Sequence, residues 1–138
     1  ASSEHQLTKE CLVDDLLVLM QRFRVAYGSA DKEGLLALTS DDFQWCQHVA
    51  QSTDELPAGR TLQGVDALLD ELAWRKQHWQ EVRYSDLAER AAGDDLLVQT
   101  FTISGLQDGK PFNARAVDLY PVKDGLITRK DTYWKYLK

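Results

Sequence analysis

The stretch Ala116-Val117-Asp118-Leu119-Tyr120, then the turn Asp124-Gly125-Leu126-Ile127 and the run Asp131-Thr132-Tyr133-Trp134, carries the reading of the fold. Alternation from Lys110 to Val122 puts Phe112, Ala114, Ala116, Asp118 and Tyr120 on one face of a strand, and Asn113, Arg115, Val117 and Leu119 on the other. Asp124-Gly125 is a two-residue hairpin signal leading into a last strand, Leu126 to Tyr136. Asp108-Gly109 is the same signal upstream, after a strand from Leu96 to Leu106, and a further strand candidate runs from His78 to Leu87. The rear of the chain therefore reads as an antiparallel meander.

The front reads differently. Leu12, Leu16, Leu19, Met20, Phe23 and Tyr27 share one helical stripe between Thr8 and Tyr27, with Gly28 as a C′ stop. Asp31 is placed to cap a short second helix carrying Leu35, Leu36 and Leu38, which Asp41 and Asp42 are expected to break. A strand from Phe43 to Val49 alternates Phe43, Trp45 and Gln47 against Gln44, Cys46 and His48. Gln51 to Gly59 reads as a loop, Arg60 to Gln63 as a short strand, and Gly64 with Asp66 opens a third helix whose expected buried side is Leu68, Leu69, Leu72 and Trp74. Helices early and strands late indicate an α+β fold, and 138 residues without a linker or repeat indicate one domain, residues 1–138.

Sixteen basic and twenty-two acidic side chains leave a net charge of −6, which argues against nucleic acid or an anionic membrane surface as partner. Cys11 and Cys46 lack a spaced framework and read as reduced thiols. No stretch is long and apolar enough to span a membrane, and Ala1 to His5 lack signal-peptide character, so a cytoplasmic location is expected. The three histidines are dispersed and form no metal-binding spacing.

The Asp-bearing strand, the Asp-Gly turn with Ile127 and the final aromatic strand resemble the C-terminal hairpin of SnoaL-like polyketide cyclases, ketosteroid isomerases and limonene-epoxide hydrolases, within the NTF2-like superfamily. The resemblance implies a cystatin-like cone. Three N-terminal helices would pack on a curved, mostly antiparallel sheet around a pocket, and such sheets pair back to back, implying a homodimer. It also implies which faces look inward: Trp45 and Gln47; Gln99, Phe101 and Ile103; Ala116, Asp118 and Tyr120; Lys130, Thr132 and Trp134; and, from the helices, Met20, Phe23, Tyr27, Leu69 and Leu72. Two alanines on that face leave room for a ligand.

Asp118 matches the strand acid that ketosteroid isomerases keep protonated to donate a hydrogen bond. Two readings stand for it here, an oxyanion-hole acid or an ionised anchor paired with a cation. The general-base Asp of those enzymes falls on Gln47 and their first-helix Tyr on Phe23, which excludes their mechanism. The Arg and Asp pair of limonene-epoxide hydrolases has no counterpart among Thr100 to Ile103, and their final-strand Asp falls on Thr132, next to Asp131. Lys130 either pairs with Asp118, serves as a desolvated base, or extends to solvent. His48 is a general-base candidate if the strand end turns it inward. The expected function is cofactor-independent acid–base catalysis of isomerase, cyclase, dehydratase or hydrolase type on a small apolar, oxygen-bearing molecule. A non-catalytic binder of such a molecule and a dimeric interaction module are the alternatives.

Overall fold

The computed structural model of the chain describes residues 2–49, 57 and 59–137, with side chains from residue 14 onward. The element order is α1 (Ser2–Gly28), α2 (Lys32–Leu38), β1 (Thr39–His48), β2 (Arg60–Gln63), α3 (Gly64–His78), β3 (Trp79–Ala91), β4 (Leu96–Gln107), β5 (Lys110–Lys123) and β6 (Leu126–Tyr136). The architecture is the α+β class read from the sequence, three helices on a six-stranded sheet of order β2-β1-β6-β5-β4-β3. Every strand pair is antiparallel except β1 with β6. Leu12, Cys11 and the loop from Gln51 to Glu55 lie outside the described side chains or residues. Among the described residues no helix is long and apolar enough to cross a membrane.

Helix α1 buries Leu16, Met20, Phe23 and Ala26 at three- and four-residue spacing, the stripe that lays it across the concave face of the sheet. It ends otherwise than its glycine suggests. Gly28 is the last helical residue, and the left-handed position is taken by Ala30, at φ 52°. Asp31 N donates to Ala26 O at 2.9 Å and Ala30 N to Tyr27 O at 3.2 Å, the two bonds of a Schellman closure. The adjacent Asp31 carboxylate then accepts from Gly34 N at 3.1 Å and caps α2, as its position in the sequence implies.

Asp41 and Asp42 do not break α2. That helix closes at Leu38, where Thr39 Oγ1 donates back to Leu35 O at 2.8 Å, and β1 has already begun. Helix α3 is rotated from its expected orientation: Val65, Leu68 and Glu71 face inward, whereas Trp74 is 40% exposed and stacks on His78. The ion pair Glu71–Arg75, in register with Leu68, takes the inner stripe that hydrophobicity alone assigns to Trp74.

The two Asp-Gly hairpins close as read. Asp108 and Gly109 have φ of 50° and 82°, and Asp124 and Gly125 have 54° and 76°, both central residues being left-handed as a type I′ turn requires. Strand β3 runs four residues past Leu87, to Ala91. Its register against β4 slips twice, between Gln80 and Arg83 and between Ser85 and Ala88. Glu81 and Asp86, both at φ 54°, sit in the two slips, so they are bulges that bend the strand and interrupt its alternation.

Ala30 holds a conformation that favours glycine. Ala30→Gly is expected to raise stability by roughly 0.5–1 kcal/mol, relief of the left-handed strain exceeding the added unfolded-state entropy. Urea denaturation of the pair of proteins measures it, and an unchanged or lowered midpoint would contradict the assignment.

Candidate functional site

Register places one polar side chain from each strand in a single row across the sheet. Arg60 pairs with Gln47, Gln47 with Thr132, Thr132 with Asp118, Asp118 with Gln99, and Gln99 with Glu89. On the concave side this belt is flanked by Trp45 and Tyr120 on one edge and Phe101 and Trp134 on the other. Gln47, Gln99, Asp118 and Thr132 are all buried, so each must find a partner within the protein or in whatever fills the interior.

Most do. Trp45 Nε1 donates to Thr132 Oγ1 at 2.8 Å, and Thr132 Oγ1 donates to Asp118 Oδ1 at 2.5 Å. Lys130 Nζ donates to Asp118 Oδ2 at 2.9 Å and to the Tyr120 hydroxyl at 2.8 Å. The Tyr120 hydroxyl lies 3.2 Å from Gln99 Oε1 and 3.4 Å from Asp118 Oδ2. Gln99 Nε2 donates to Glu89 Oε2 at 2.7 Å, and Arg24 meets the same carboxylate at 3.2 Å. The Lys130 and Asp118 side chains are 5% and 1% exposed, so Lys130 does not extend to solvent. Its ammonium instead lies 4.7, 5.3 and 5.0 Å from the ring centres of Tyr27, Trp45 and Tyr120.

Burial acts on these groups in opposite senses. Desolvation lowers the pKa of the Lys130 ammonium, and the Asp118 carboxylate holds it up against that. Desolvation, reinforced by Asp118, pushes the Tyr120 hydroxyl well above its ordinary value, so it stays neutral. Tyr27 is pushed up to about 12, by desolvation first, with Arg75 opposing and Asp118 and Glu71 adding.

This network faces a cavity of about 300 Å³, at the lower end of the range for small-molecule sites. Asp118 and Lys130 stand together on its wall, with Phe23, Tyr27, Trp45, Gln99, Phe101, Ile103, Tyr120, Thr132 and Trp134. Three residues singled out from the sequence are elsewhere. Ala116 is fully buried in the packing of Phe101, Ile103 and Ala114. Gln47 turns behind the cavity to Glu71 and Arg60, at 3.4 and 3.2 Å. His48 is on the opposite face of the sheet, as strict alternation from Trp45 dictates and with no bulge to reverse it. There it stacks on Tyr133 at 4.3 Å and meets Asp131 at 3.0 Å, so it does not line the cavity.

Conversely, Arg75, Arg24, Tyr84 and Leu87 line the cavity without having been foreseen. Arg75 follows from the rotation of α3; its guanidinium lies 4.8, 4.4 and 5.6 Å from the ring centres of Trp45, Trp79 and Trp134. An inward Glu71–Arg75 pair at four-residue spacing beside Leu68 was the available signal. Tyr84 lies between the two slips of β3 and Leu87 within the second, where alternation carries no face information. Among the described residues no group of three His, Cys, Asp or Glu is placed to hold a metal ion.

Removing one member of the buried pair strands the other. Lys130→Met is expected to cost roughly 3–5 kcal/mol, and Lys130→Met with Asp118→Leu substantially less, because no charge is then left unpaired. Urea denaturation of both variants checks this, and a single variant costing no more than the double would contradict it. Tyr27 supplies a second expectation. Its folded-state pKa is raised from 10.0 to about 12, so its contribution is intact below pH 10 and is lost as pH rises through about 12. Stability should fall over that interval in the wild type and fall less steeply in Tyr27→Phe, as followed by denaturation midpoints at increasing pH.

Residues 20–130 match the family model described as the SnoaL-like domain. No curated protein matches the sequence. Solved structures do match in fold. An NTF2-like protein from Burkholderia xenovorans is 21% identical over 89% of this chain and 91% of its own, with a TM-score of 0.73. A protein from Xanthomonas campestris, provisionally called a polyketide cyclase, is 17% identical over 90% and 93%, with a TM-score of 0.67. A protein with a ketosteroid isomerase-like fold from Catenulispora acidiphila, solved with trimethylamine, is 18% identical over 83% of each chain, with a TM-score of 0.61. At these identities the likeness is one of fold. With the family match spanning most of its length and the helix-lined sheet in place, the chain belongs to the SnoaL-like domain family, within the NTF2-like fold.

Proposed function

We propose that this chain is a cofactor-independent acid–base catalyst acting on a small, mostly apolar molecule that bears a carbonyl or hydroxyl oxygen. One observation carries the reading: the Asp118–Lys130 pair stands on the wall of an otherwise largely apolar cavity. Thr132 and Lys130 each donate a hydrogen bond to Asp118, one to each oxygen, which favours the carboxylate as proton acceptor rather than donor. The donor role then falls to its neighbours. A buried ammonium of lowered pKa and a neutral tyrosine hydroxyl are suited to meet charge developing on a substrate oxygen.

In the simplest cycle a ketone oxygen takes the place of Asp118 or Tyr120 as an acceptor for Lys130. Asp118 removes the proton from the carbon beside the carbonyl, the C–H electron pair moves toward oxygen, and Lys130 and Tyr120 hold the enolate. Return of the proton to the same or a conjugated carbon completes exchange or isomerisation without any cofactor. His48 has no part in it.

A second reading, a binder without turnover, is favoured by one fact: both oxygens of Asp118 are already satisfied by protein donors. Deuterium exchange separates the two. Cyclohexanone, 1-indanone and 2-tetralone are incubated with the protein in D₂O, and NMR follows loss of the protons beside the carbonyl. The catalyst reading expects at least one ketone to exchange roughly a hundredfold or more faster than with Asp118→Asn. Ketone binding by saturation transfer with no acceleration over the variant leaves the binder.

We also propose a homodimer through the outer face of the sheet, where half-buried Val117 and Leu119 lie beside the Arg115–Thr102 hydrogen bond. Light scattering at micromolar concentration should return twice the 15.7 kDa chain mass, and a monomer would refute it.

A further inference from the structure

All but four of the residues that line the cavity are buried or half-buried. The exposed four are Arg24 and Gly28, from the end of α1, and Tyr84 and Leu87, from β3. The cavity therefore opens to solvent between the last turns of α1 and the edge strand of the sheet. The Arg24–Glu89 ion pair spans that gap at 3.2 Å, and Gln99 donates to the same carboxylate at 2.7 Å, so one side of the mouth is fixed.

The lip on β3 is apolar. Tyr84 is 55% and Leu87 45% exposed, and of the large hydrophobic side chains exposed among the described residues these are the two that line the cavity. Their positions have opposite parity, so regular alternation would send them to opposite faces of the sheet. The second slip prevents that. Ser85 pairs with Thr102 and Ala88 with Thr100, one residue more on β3 than on β4, with Asp86 left-handed between them. A left-handed aspartate costs backbone free energy, and its effect is to bring a second apolar side chain to the mouth.

Inside the lip the apolar surface continues. Tyr84 pairs with Ile103 across the strands, and its ring centre lies 5.6 Å from that of Phe101; both partners are buried and line the cavity. With β4 between β3 and β5, the lip stands two strand spacings from Asp118, roughly 10 Å. The interior thus has a polar end, at the Asp118–Lys130 pair, and an apolar end that is open to water.

We infer that the ligand is elongated, with its oxygen at the Asp118–Lys130 pair and an unbranched apolar tail that runs past Phe101 and Ile103 to the mouth, where Tyr84 and Leu87 select for it. Tail atoms against these two side chains cover apolar surface that the protein itself leaves wet, and that burial is the source of the selection. A compact ring of the same carbon count fills the inner part and leaves the lip uncovered. Tyr84 and Leu87 are specificity-determining residues and take no part in proton transfer.

The elongated ligand presupposes that the cavity is the small-molecule site proposed above. 2-Octanone and cyclooctanone have the same number of carbons and one ketone oxygen each, in extended and compact form. Their dissociation constants are measured by quenching of tryptophan fluorescence, since Trp45 and Trp134 both line the cavity. The wild type is expected to bind 2-octanone about fivefold or more tightly than cyclooctanone. Tyr84→Ser and Leu87→Ser, both at exposed positions, should each narrow that ratio about twofold or more. Leu36→Ser, at a comparably exposed leucine outside the cavity, should keep it. A ratio near unity, or one that neither lip variant moves, overturns the elongated ligand and leaves the cavity reading in place. No binding of either ketone overturns both.

Discussion

An ammonium and a carboxylate placed 2.9 Å apart, almost without solvent, are the constraint around which the interior is arranged. Two such charges lose several kcal/mol each on leaving water, and their attraction offsets this only when the remaining donors and acceptors are also satisfied. The surroundings of Asp118 and Lys130 meet that condition unusually fully. Thr132 fixes one carboxylate oxygen and is itself held by Trp45, while Tyr120 accepts from the ammonium and three aromatic rings face it. The aromatic residues are therefore more than core filler. They give a cation a tolerable setting where water has been removed, and so permit a polar cluster to border an apolar space.

That cluster depends on register. The polar belt exists because six strands each present one polar side chain at the same level, so a one-residue slip in any strand would send its member to the outer face. Slips do occur, and their positions matter. Those in β3 fall at Gln80/Arg83 and Ser85/Ala88, leaving the Glu89–Gln99 pairing intact. The one in β5 and β6 falls between Leu119 and Val122, after Asp118 and Thr132 have already paired. Curvature is introduced beside the belt and not within it.

The alternation of β5, both Asp-Gly turns, the cap at Asp31 and the α+β order were all legible in the sequence, because each is a local signal with a local cause. The relation of Asp118 to Lys130 was legible as one option among three, since alternation gives a face and not a partner. What escaped reading had non-local causes. The twist of α3 that buries Arg75 and exposes Trp74 reflects an acid and two arginines sharing space with Gln47, a residue far away in sequence. Strand β3 extends past its expected end at Leu87 because left-handed residues at Glu81 and Asp86, neither of them glycine, interrupt the alternation by which a strand is read. Ala30 took the conformation that Gly28 advertised. His48 shows the converse, a residue whose chemistry invited a role and whose parity in the strand forbade it.

The parallel pairing of β1 with β6 has a consequence for how the chain acquires this structure. Trp45 reaches its hydrogen-bonding partner across 87 residues, and β1 lacks one of its two neighbours until the final strand is laid down. Ribosomal synthesis delivers α1, α2 and β1 first, with Phe43 and Trp45 uncovered and one row of strand amides unpaired. Contacts of such long sequence separation slow folding and prolong the exposure of aggregation-prone edges. The front half of the protein must therefore wait, incomplete, for its last strand, and that interval is when chaperones would have most to hold.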